Sequence, residues 1–532
     1  MKKIPPSILA LLSGILLFIS WQPHCTFLIF IALVPLFIAT EAIHESITVQ
    51  RKKLAVTGIA YLAFFSWNIL TTWWIAYASF GGAAMAIVCN ALLMCMVYSL
   101  YYNIKTRVNK QGSIWILIPL WLSFEYLHTD WDLTYTWLTI GNVFGFQNAW
   151  VQWYEYTGVS GGSLWVLAIN ILIYQLIQEA PAVKKGVLKK TSFIAALILV
   201  PILFSFFLSV NNKTIDPQKT NIVIVQPNVD PYNEKFYTEP EIQLNKLLLQ
   251  VDGVIDSTTD YLVLPETFLT ENMWEENIQQ SLSVNFLKNT LIKKYPRLTI
   301  VSGANTFYAF RPADVLSSTA HKFTESDGYY DAFNSAIQID SSSAILIYHK
   351  SKLVPGTEKM PFPVLFKPLE KLAIDMGGTT GSLGTQKERT VFTNIHTGLK
   401  IAPVICYESI YGEFVTEYIQ KGANLIFIMT NDGWWEDTPG YHQHLAYGTL
   451  RAIETRRPIA RSANTGISCI IDKYGNIEEP QAWWKPAIIR TKLAPENQLT
   501  FYVKYGDLIS KTSLFTALAF ILFALYLRFK KR

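Results

Sequence analysis

The 532-residue sequence predicts a multi-pass α-helical membrane domain of about eight helices joined to an α/β domain that interrupts it before the last helix. Three observations carry this. Only 16% of residues are charged and 51% are hydrophobic, with a mean hydropathy of +0.23, whereas a soluble chain carries about a quarter charged residues. Long apolar segments follow one another through residues 1–210 and recur once near the C-terminus. Between them, residues 220–500 alternate short β-branched runs with helical stretches.

The apolar segments lie at 8–20, 27–40, 54–74, 83–102, 113–127, 163–176, 192–210 and 513–527. Several are shorter than the ~20 residues that cross a bilayer, so their edges extend by a few residues. Met1-Lys-Lys ahead of the first run has the look of a signal peptide. No small-x-small cleavage site follows, and Trp21-Gln-Pro leads directly into the next run, so a retained helix is expected.

Basic residues set the expected orientation. Lys2 and Lys3; Arg51, Lys52 and Lys53; Lys105, Arg107 and Lys110; Lys184, Lys185, Lys189 and Lys190; and Arg528, Lys530, Lys531 and Arg532 fall at alternate helix ends. The connections 21–26, 75–82 and 128–162 hold no Lys or Arg. By the positive-inside rule both termini are cytoplasmic. The expected domains are then 1–210 with seven helices, 211–511 on the far face, and 512–532 as a last helix with a basic tail. The net charge of +5 is used in topology anchors, which removes the support for a nucleic-acid partner. The connection 128–162 carries Trp131, Trp137, Trp150, Trp153, Tyr154 and Tyr156 among Gly141, Gly145, Gly158, Gly161 and Gly162. It reads as an interfacial aromatic belt, with a lipid-facing platform as the functional alternative.

In the α/β domain, strands are expected at 221–225, 261–264, 298–302, 332–340, 344–349, 400–406, 425–430, 459–462 and 467–472, the last leading into a hairpin turn. Helices are expected at 239–249, 277–294, 409–421 and 442–455. The five cysteines form no CxxC and no metal-ligand spacing. Cys25, Cys89 and Cys95 lie in apolar runs as packing residues, which leaves Cys406 as a free thiol. It ends the strand-like run Ile401-Ala-Pro-Val-Ile-Cys406, with Tyr407 and Glu408 behind it. A lone cysteine is ordinarily a small buried hydrophobe; a base and a cation beside it would make it a nucleophile.

Two other strand ends offer those groups. Tyr261-Leu-Val-Leu-Pro-Glu266 ends on a carboxylate and Ile345-Leu-Ile-Tyr-His-Lys350 on an amine. Singly, each reads as a solvated surface charge. Together, a Glu can take the thiol proton and a fixed Lys can hold the oxyanion formed when sulfur attacks a carbonyl. His442 and His444, at i and i+2, do not share a helix face, so no metal is expected and both are placed on the surface near the site entrance.

Leu-Pro-Glu266, Lys350 followed by Leu-Val-Pro-Gly-Thr-Glu358, and Ile-Cys406-Tyr-Glu408 resemble, in that order, the Glu-Lys-Cys triad of the nitrilase (carbon–nitrogen hydrolase) superfamily. Asp331-Ala-Phe-Asn334-Ser resembles its Asn-bearing strand, and Thr430-Asn431-Asp432-Gly-Trp434 its Asn-Asp-x-Trp segment. With membrane helices on both sides, the resemblance narrows to the apolipoprotein N-acyltransferase family. It implies an α-β-β-α sandwich with Glu266 as base, Lys350 as oxyanion stabiliser and Cys406 as nucleophile. Glu358, Tyr407, Glu408, Phe236, Asn334, Asn431 and Trp434 are implied accessory or substrate-binding residues. Two departures stand out: Gly-Thr precedes Glu358 where the family often has Phe-Gly, and Phe236 falls where the family has tryptophan.

The resemblance implies a bacterial inner-membrane enzyme with a periplasmic catalytic domain and no cofactor. An acyl chain would pass from a phospholipid, with phosphatidylethanolamine expected, through a Cys406 thioester to the N-terminal amine of a diacylated apolipoprotein. The alternative is a membrane-anchored amidase or nitrilase with water as acceptor. A transporter is disfavoured because the apolar segments hold few ionisable residues.

Overall fold

The computed structural model describes residues 4–108, 113–179, 184–211, 219–325, 327–359 and 382–530. Two compact units emerge: Met1–Ala76 with Phe80–Asn212 and Tyr505–Arg532, and Tyr77–Ser79 with Lys213–Lys504.

In the first unit each expected apolar segment falls on a helix: Pro6–Ser20, Val34–Glu45, Lys52–Thr72, Phe80–Val108, Leu117–Leu127, Val159–Glu179, Lys184–Asn211 and Leu508–Lys530. Among the described residues six stretches are long and apolar enough to cross a membrane, while Pro6–Ser20 and Ser113–Leu127 are shorter. Where Val34–Glu45 is preceded by the 3-10 turn Thr26–Phe30, the backbone between them needs partners that lipid cannot supply. Buried Asn170 provides them, accepting from Leu33 N and donating to Ile29 O, both at 2.8 Å. Two basic helix ends meet the C-terminal part of Val34–Glu45: Lys105 pairs with Glu41 at 2.7 Å, and Lys52 Nζ donates to His44 O at 2.6 Å. Lys2, Lys3, Lys110, Lys531 and Arg532 lie outside the described residues.

The aromatic connection departs from the belt reading. Trp137 and Tyr154 are buried, and Tyr154 Oη donates to Gly141 O at 3.0 Å. Only Trp131 and Tyr156 of its six named aromatics are exposed. Its glycines explain this: a Cβ on Gly162 would collide with the Tyr154 hydroxyl, so the ring packs inward against bare backbone.

Among its described residues the second unit holds fourteen strands: β1 Thr220–Gln226, β2 Tyr261–Val263, β3 Leu269–Trp274, β4 Thr299–Ala309, β5 His321–Lys322, β6 Tyr329–Ile339, β7 Leu346–His349, β8 Phe392–Thr393, β9 Lys400–Ile405, β10 Leu425–Thr430, β11 Ile459–Ala463, β12 Cys469–Ile471, β13 Ile477–Glu478 and β14 Ala487–Leu493. One sheet runs β14-β1-β2-β4-β6-β5, with β3 on β4 and β7 on β6; the other runs β13-β12-β11-β10-β9-β8. Their inner faces meet, with Tyr261 edge-on to Phe427 at 5.1 Å and Ser462 Oγ donating to Val225 O at 2.8 Å. Pro240–Val251 and Leu282–Leu287 cover the first sheet through Leu244, Leu247, Val284 and Leu287. Pro439–Thr455 lies on the second, where a Cβ on Gly448 would touch Ile471 and Ile428. Covered on both faces, β10 is buried at every position, which is why it reads as an unbroken apolar run. The layers are those of an α-β-β-α sandwich.

Several elements differ from expectation. The single helix at 277–294 is broken at Ser281, whose side chain caps Val284 N and restarts the chain as Leu282–Leu287. The helix at 409–421 is a 3-10 turn, Cys406–Ile410, then Gly412–Gln420, separated by an extended Tyr411. β3 and the half-exposed edge strand β14 lacked an apolar run to mark them.

Gly303 in β4 permits the closest approach near the site. A Cβ there would sit 2.6 Å from Glu266 Cα and 2.3 Å from Thr267 N, both backbone atoms. Gly303→Ala should therefore cost about 1–3 kcal/mol by overpacking and displace Glu266; thermal unfolding together with a structure of the variant checks this.

Candidate active site

Glu266, Lys350 and Cys406 each stand just beyond a strand end, after β2, β7 and β9, and all are buried. Lys350 Nζ, 1% exposed, is 2.9 Å from Glu266 Oε1 and 2.7 Å from Glu358 Oε1. Asn334 of β6 donates through Nδ2 to the same two oxygens at 2.9 and 3.0 Å, and its carbonyl accepts from Lys350 N at 2.8 Å. Asn431 N completes the set, donating to Glu266 Oε2 at 3.1 Å. Burial opposes charge on both partners, yet each overcomes it for the other. Glu266 is held below the ordinary carboxylate range by Lys350 and then Lys235, and Lys350 well above the ordinary lysine range by Glu266 and Glu358.

Glu358 is reached despite the Gly-Thr before it. Gly356 takes φ +86°, and the N–H groups of Thr357, Glu358 and Lys359 turn back onto Val354 O. Val354 N in turn donates to Glu358 Oε2 at 2.8 Å. The altered loop thus still aims its carboxylate at Lys350.

Cys406 has φ +46°, a left-handed conformation that a non-glycine residue adopts only under constraint. It turns the chain sharply from β9 into Cys406–Ile410. Burial pushes the thiol well above its ordinary range; the Glu266 charge adds to this and Lys350 opposes it. The resting sulfur is therefore protonated. Thr430 Oγ1 lies 3.3 Å from Sγ and 2.7 Å from Asp432 Oδ1. Its one proton goes to the carboxylate, the stronger acceptor.

Glu408 acts beneath the elbow. It is fully buried, and its carboxylate accepts from Tyr348 Oη at 2.6 Å, Ser351 N at 2.7 Å and Ile405 N at 2.9 Å. It thereby ties the residue after Lys350 to the residue before Cys406, although burial pushes its own carboxyl upward. Tyr407 is buried on the same turn, its ring 5.4 Å from that of Tyr411. Half-buried Trp434 sets its Nε1 3.1 Å from the Asn431 carboxamide, whose oxygen faces it, and its carbonyl accepts from Tyr232 Oη at 3.0 Å. Phe236 is half-buried, its ring 5.5 Å from Lys235 Nζ.

His444 corrects the surface expectation: it is 1% exposed. Nδ1 lies 2.9 Å from Asp432 Oδ1, and Nε2 lies 2.9 Å from Ser409 Oγ and 3.1 Å from Cys406 O. Arg461 pairs with the other Asp432 oxygen at 2.6 Å. His442 alone is on the surface. This network, Thr430 and buried Lys235 were not singled out from sequence. The burial of Gln443–Thr455 on both sides of His444 follows from packing, which i and i+2 spacing cannot report.

The family profile for the apolipoprotein N-acyltransferase N-terminal domain matches residues 13–172, and that for carbon-nitrogen hydrolase matches 222–497, more than half the chain. The chain belongs to the carbon-nitrogen hydrolases, in the apolipoprotein N-acyltransferase family. Among similar proteins, apolipoprotein N-acyltransferase of Chlorobaculum tepidum is 29% identical over 95% of this chain and 93% of its own. That of Geobacter metallireducens is 24% identical over 94% and 92%. Among solved structures, Saccharomyces cerevisiae Nit3 of the nitrilase superfamily matches 52% of this chain and 91% of its own at 18% identity and a TM-score of 0.36. Family membership and the six apolar helices give the protein a membrane location.

Glu408→Gln offers one acceptor oxygen where three donors converge, leaving at least one buried N–H or O–H unpaired. It should lower stability by about 1–3 kcal/mol and loosen the register between Lys350 and Cys406. Denaturation midpoints and the rate at which an alkylating reagent labels Cys406 measure the two effects separately.

Proposed function

We propose that this family member transfers an acyl chain from a membrane phospholipid, through a thioester on Cys406, to the N-terminal amine of diacylglyceryl-cysteine apolipoproteins. The supporting observation is the meeting of a protonated thiol on a constrained turn with an ionised, cation-held Glu266. Such a thiol needs a base at the moment of attack, and Glu266 is the base whose ionisation the site defends.

In the first half, the S–H proton passes to Glu266 as sulfur bonds the ester carbonyl carbon. The carbonyl electrons move to oxygen, where Lys350 offers the N–H left after Glu266 and Glu358 take two. The C–O bond then breaks, and Glu266 returns the proton to the lysophospholipid alkoxide. In the second half, the neutral amine attacks the thioester, Glu266 takes its proton, and the departing sulfur recovers it. Atoms and charge balance in both halves, with no external reductant or metal.

Phosphatidylethanolamine is the proposed donor, and the α/β unit is proposed to face the periplasm of a bacterial inner membrane with both termini cytoplasmic. The support is the alternation of basic and non-basic helix ends. A lipid substrate also favours a membrane-anchored enzyme, because drawing a chain into water costs about 0.8 kcal/mol per CH₂.

Mass spectrometry of the protein after incubation with phosphatidylethanolamine should find an acyl mass on the peptide bearing Cys406, sensitive to hydroxylamine and absent in Cys406→Ser. Water-driven turnover of a small amide with no acyl-enzyme from lipid would instead mark an amidase. Glu266→Gln should slow acylation by about 10²–10⁴-fold.

The pH dependence follows from the sign of the shift. Glu266 works as the carboxylate and its folded value lies below the ordinary one, so activity is retained above that ordinary range and is lost only as pH falls through the depressed value. Acylation should stay level from pH 7 down to about 5; a limb centred near pH 6 would contradict the assignment.

A further inference from the structure

One buried charge beside the site has no part in the steps above. Lys235 lies in the connection between β1 and Pro240–Val251 and is 2% exposed. Its ammonium has three acceptors for three protons: Glu266 O at 2.9 Å, Thr267 Oγ1 at 2.5 Å and, with the Asn431 carboxamide oxygen turned toward it, Asn431 Oδ1 at 3.2 Å. These acceptors come from different sheets. Glu266 and Thr267 follow β2; Asn431 follows β10 and supplies the N–H that holds Glu266 Oε2.

The segment it holds is under constraint. Thr267 is β-branched yet takes φ +46°, and the Glu266–Thr267 backbone is pressed against Gly303. A β-branched residue in that region relaxes unless its surroundings fix it. Gln243 Nε2 donates to Lys235 O at 2.7 Å, so the lysine backbone is itself anchored to the helix covering the first sheet.

We propose, resting on the acyl-transfer reading, that Lys235 is a positioning residue for the general base: its buried ammonium ties the Glu266 turn to Asn431 and is the second positive charge that Glu266 faces. Among the described residues, the charged and titratable groups around this pair are Lys350, Glu358 and Cys406, with Asp432 behind the thiol. Lys350 alone must serve two carboxylates, Glu266 and Glu358. Lys235 makes the balance two and two. Burial brings its amine down to about 8 against the pull of Glu266, so it is still a cation at neutral and acidic pH.

A merely structural lysine and a field-setting one differ in their effect on the pH profile. Lys235→Met should lower the acylation rate at pH 7 by about 10-fold or more and move its acidic limb up by about 1 pH unit, because an opposing charge within reach depresses a carboxylate by roughly that much. Lys235→Arg, which keeps the cation, should leave the limb at its wild-type position even where its larger head slows the rate. Lys235→Gln keeps N–H donors without the charge and reads the same limb if the Met variant is not recovered folded.

Phosphatidylethanolamine in mixed micelles serves as substrate, with lysophospholipid release as the readout and thermal unfolding run alongside. A limb that stays in place in the uncharged variants, or that moves as far in the Arg variant, overturns the proposal. Wild-type protein that forms no Cys406 thioester sinks the acyl-transfer reading itself; a wild-type thioester with an unmoved limb sinks only the role of Lys235.

Discussion

The interaction on which the site depends is the Lys350 ammonium held between Glu266 and Glu358 out of contact with water. Unpaired, the buried Lys350 and Glu266 charges would each be driven neutral. Grouped, they keep one another ionised, and removing one partner from such a group costs about 3–5 kcal/mol. The polar frame follows from this need. Asn334 is placed in β6 to donate to both carboxylates while its carbonyl takes Lys350 N. Asn431 N meets the remaining Glu266 oxygen. Gly356 lets the following loop curl until Glu358 reaches the amine. Elements from both sheets are thus recruited to one charge.

Cys406 is set against this frame by a different device. Its left-handed φ brings the chain off β9 in a turn that hydrophobic packing alone would not maintain. Glu408, two residues on, maintains it by holding Ile405 N on one side and Ser351 N on the other. The turn bearing the thiol is therefore tied to the turn bearing Lys350 through one buried carboxylate with three donors. His444, Ser409 and Asp432 support the Cys406 carbonyl from the opposite side.

Much of this was legible in the sequence because strand ends are easy to read. β2, β9 and β10 are buried on both faces, so each is a short apolar run that stops where the polar residue begins. Glu266 and Cys406 stand at such stops, and the family resemblance supplied their pairing with Lys350. The parts that escaped depend on what lies across the fold. Lys235 sits in a connection of ordinary polarity, and nothing local distinguishes a lysine aimed at a carbonyl 31 residues away from one in solvent. His444 was placed on the surface with His442 because their i and i+2 spacing offered no shared partner, yet Asp432 and Ser409 come to it from other elements. The aromatic connection was misread for a related reason: its glycines let Tyr154 turn inward, a choice that composition does not encode.

A protonated resting thiol is what this charge arrangement requires. A preformed thiolate beside ionised Glu266 would place three negative charges against two lysines in a buried space, and burial would expel the excess. With the thiol neutral, the four charged groups cancel. Proton transfer from sulfur to Glu266 then moves a negative charge within the site without creating one. In the proposed attack that charge passes from sulfur to the carbonyl oxygen, at the position Lys350 is free to meet. Reactivity is therefore conditional on a seated carbonyl. A sulfur that is weakly nucleophilic until its substrate arrives is also protected from stray electrophiles and oxidants, which act on thiolates. The burial that first argued for an inert cysteine is thus the condition under which this one can be both stable at rest and reactive on demand.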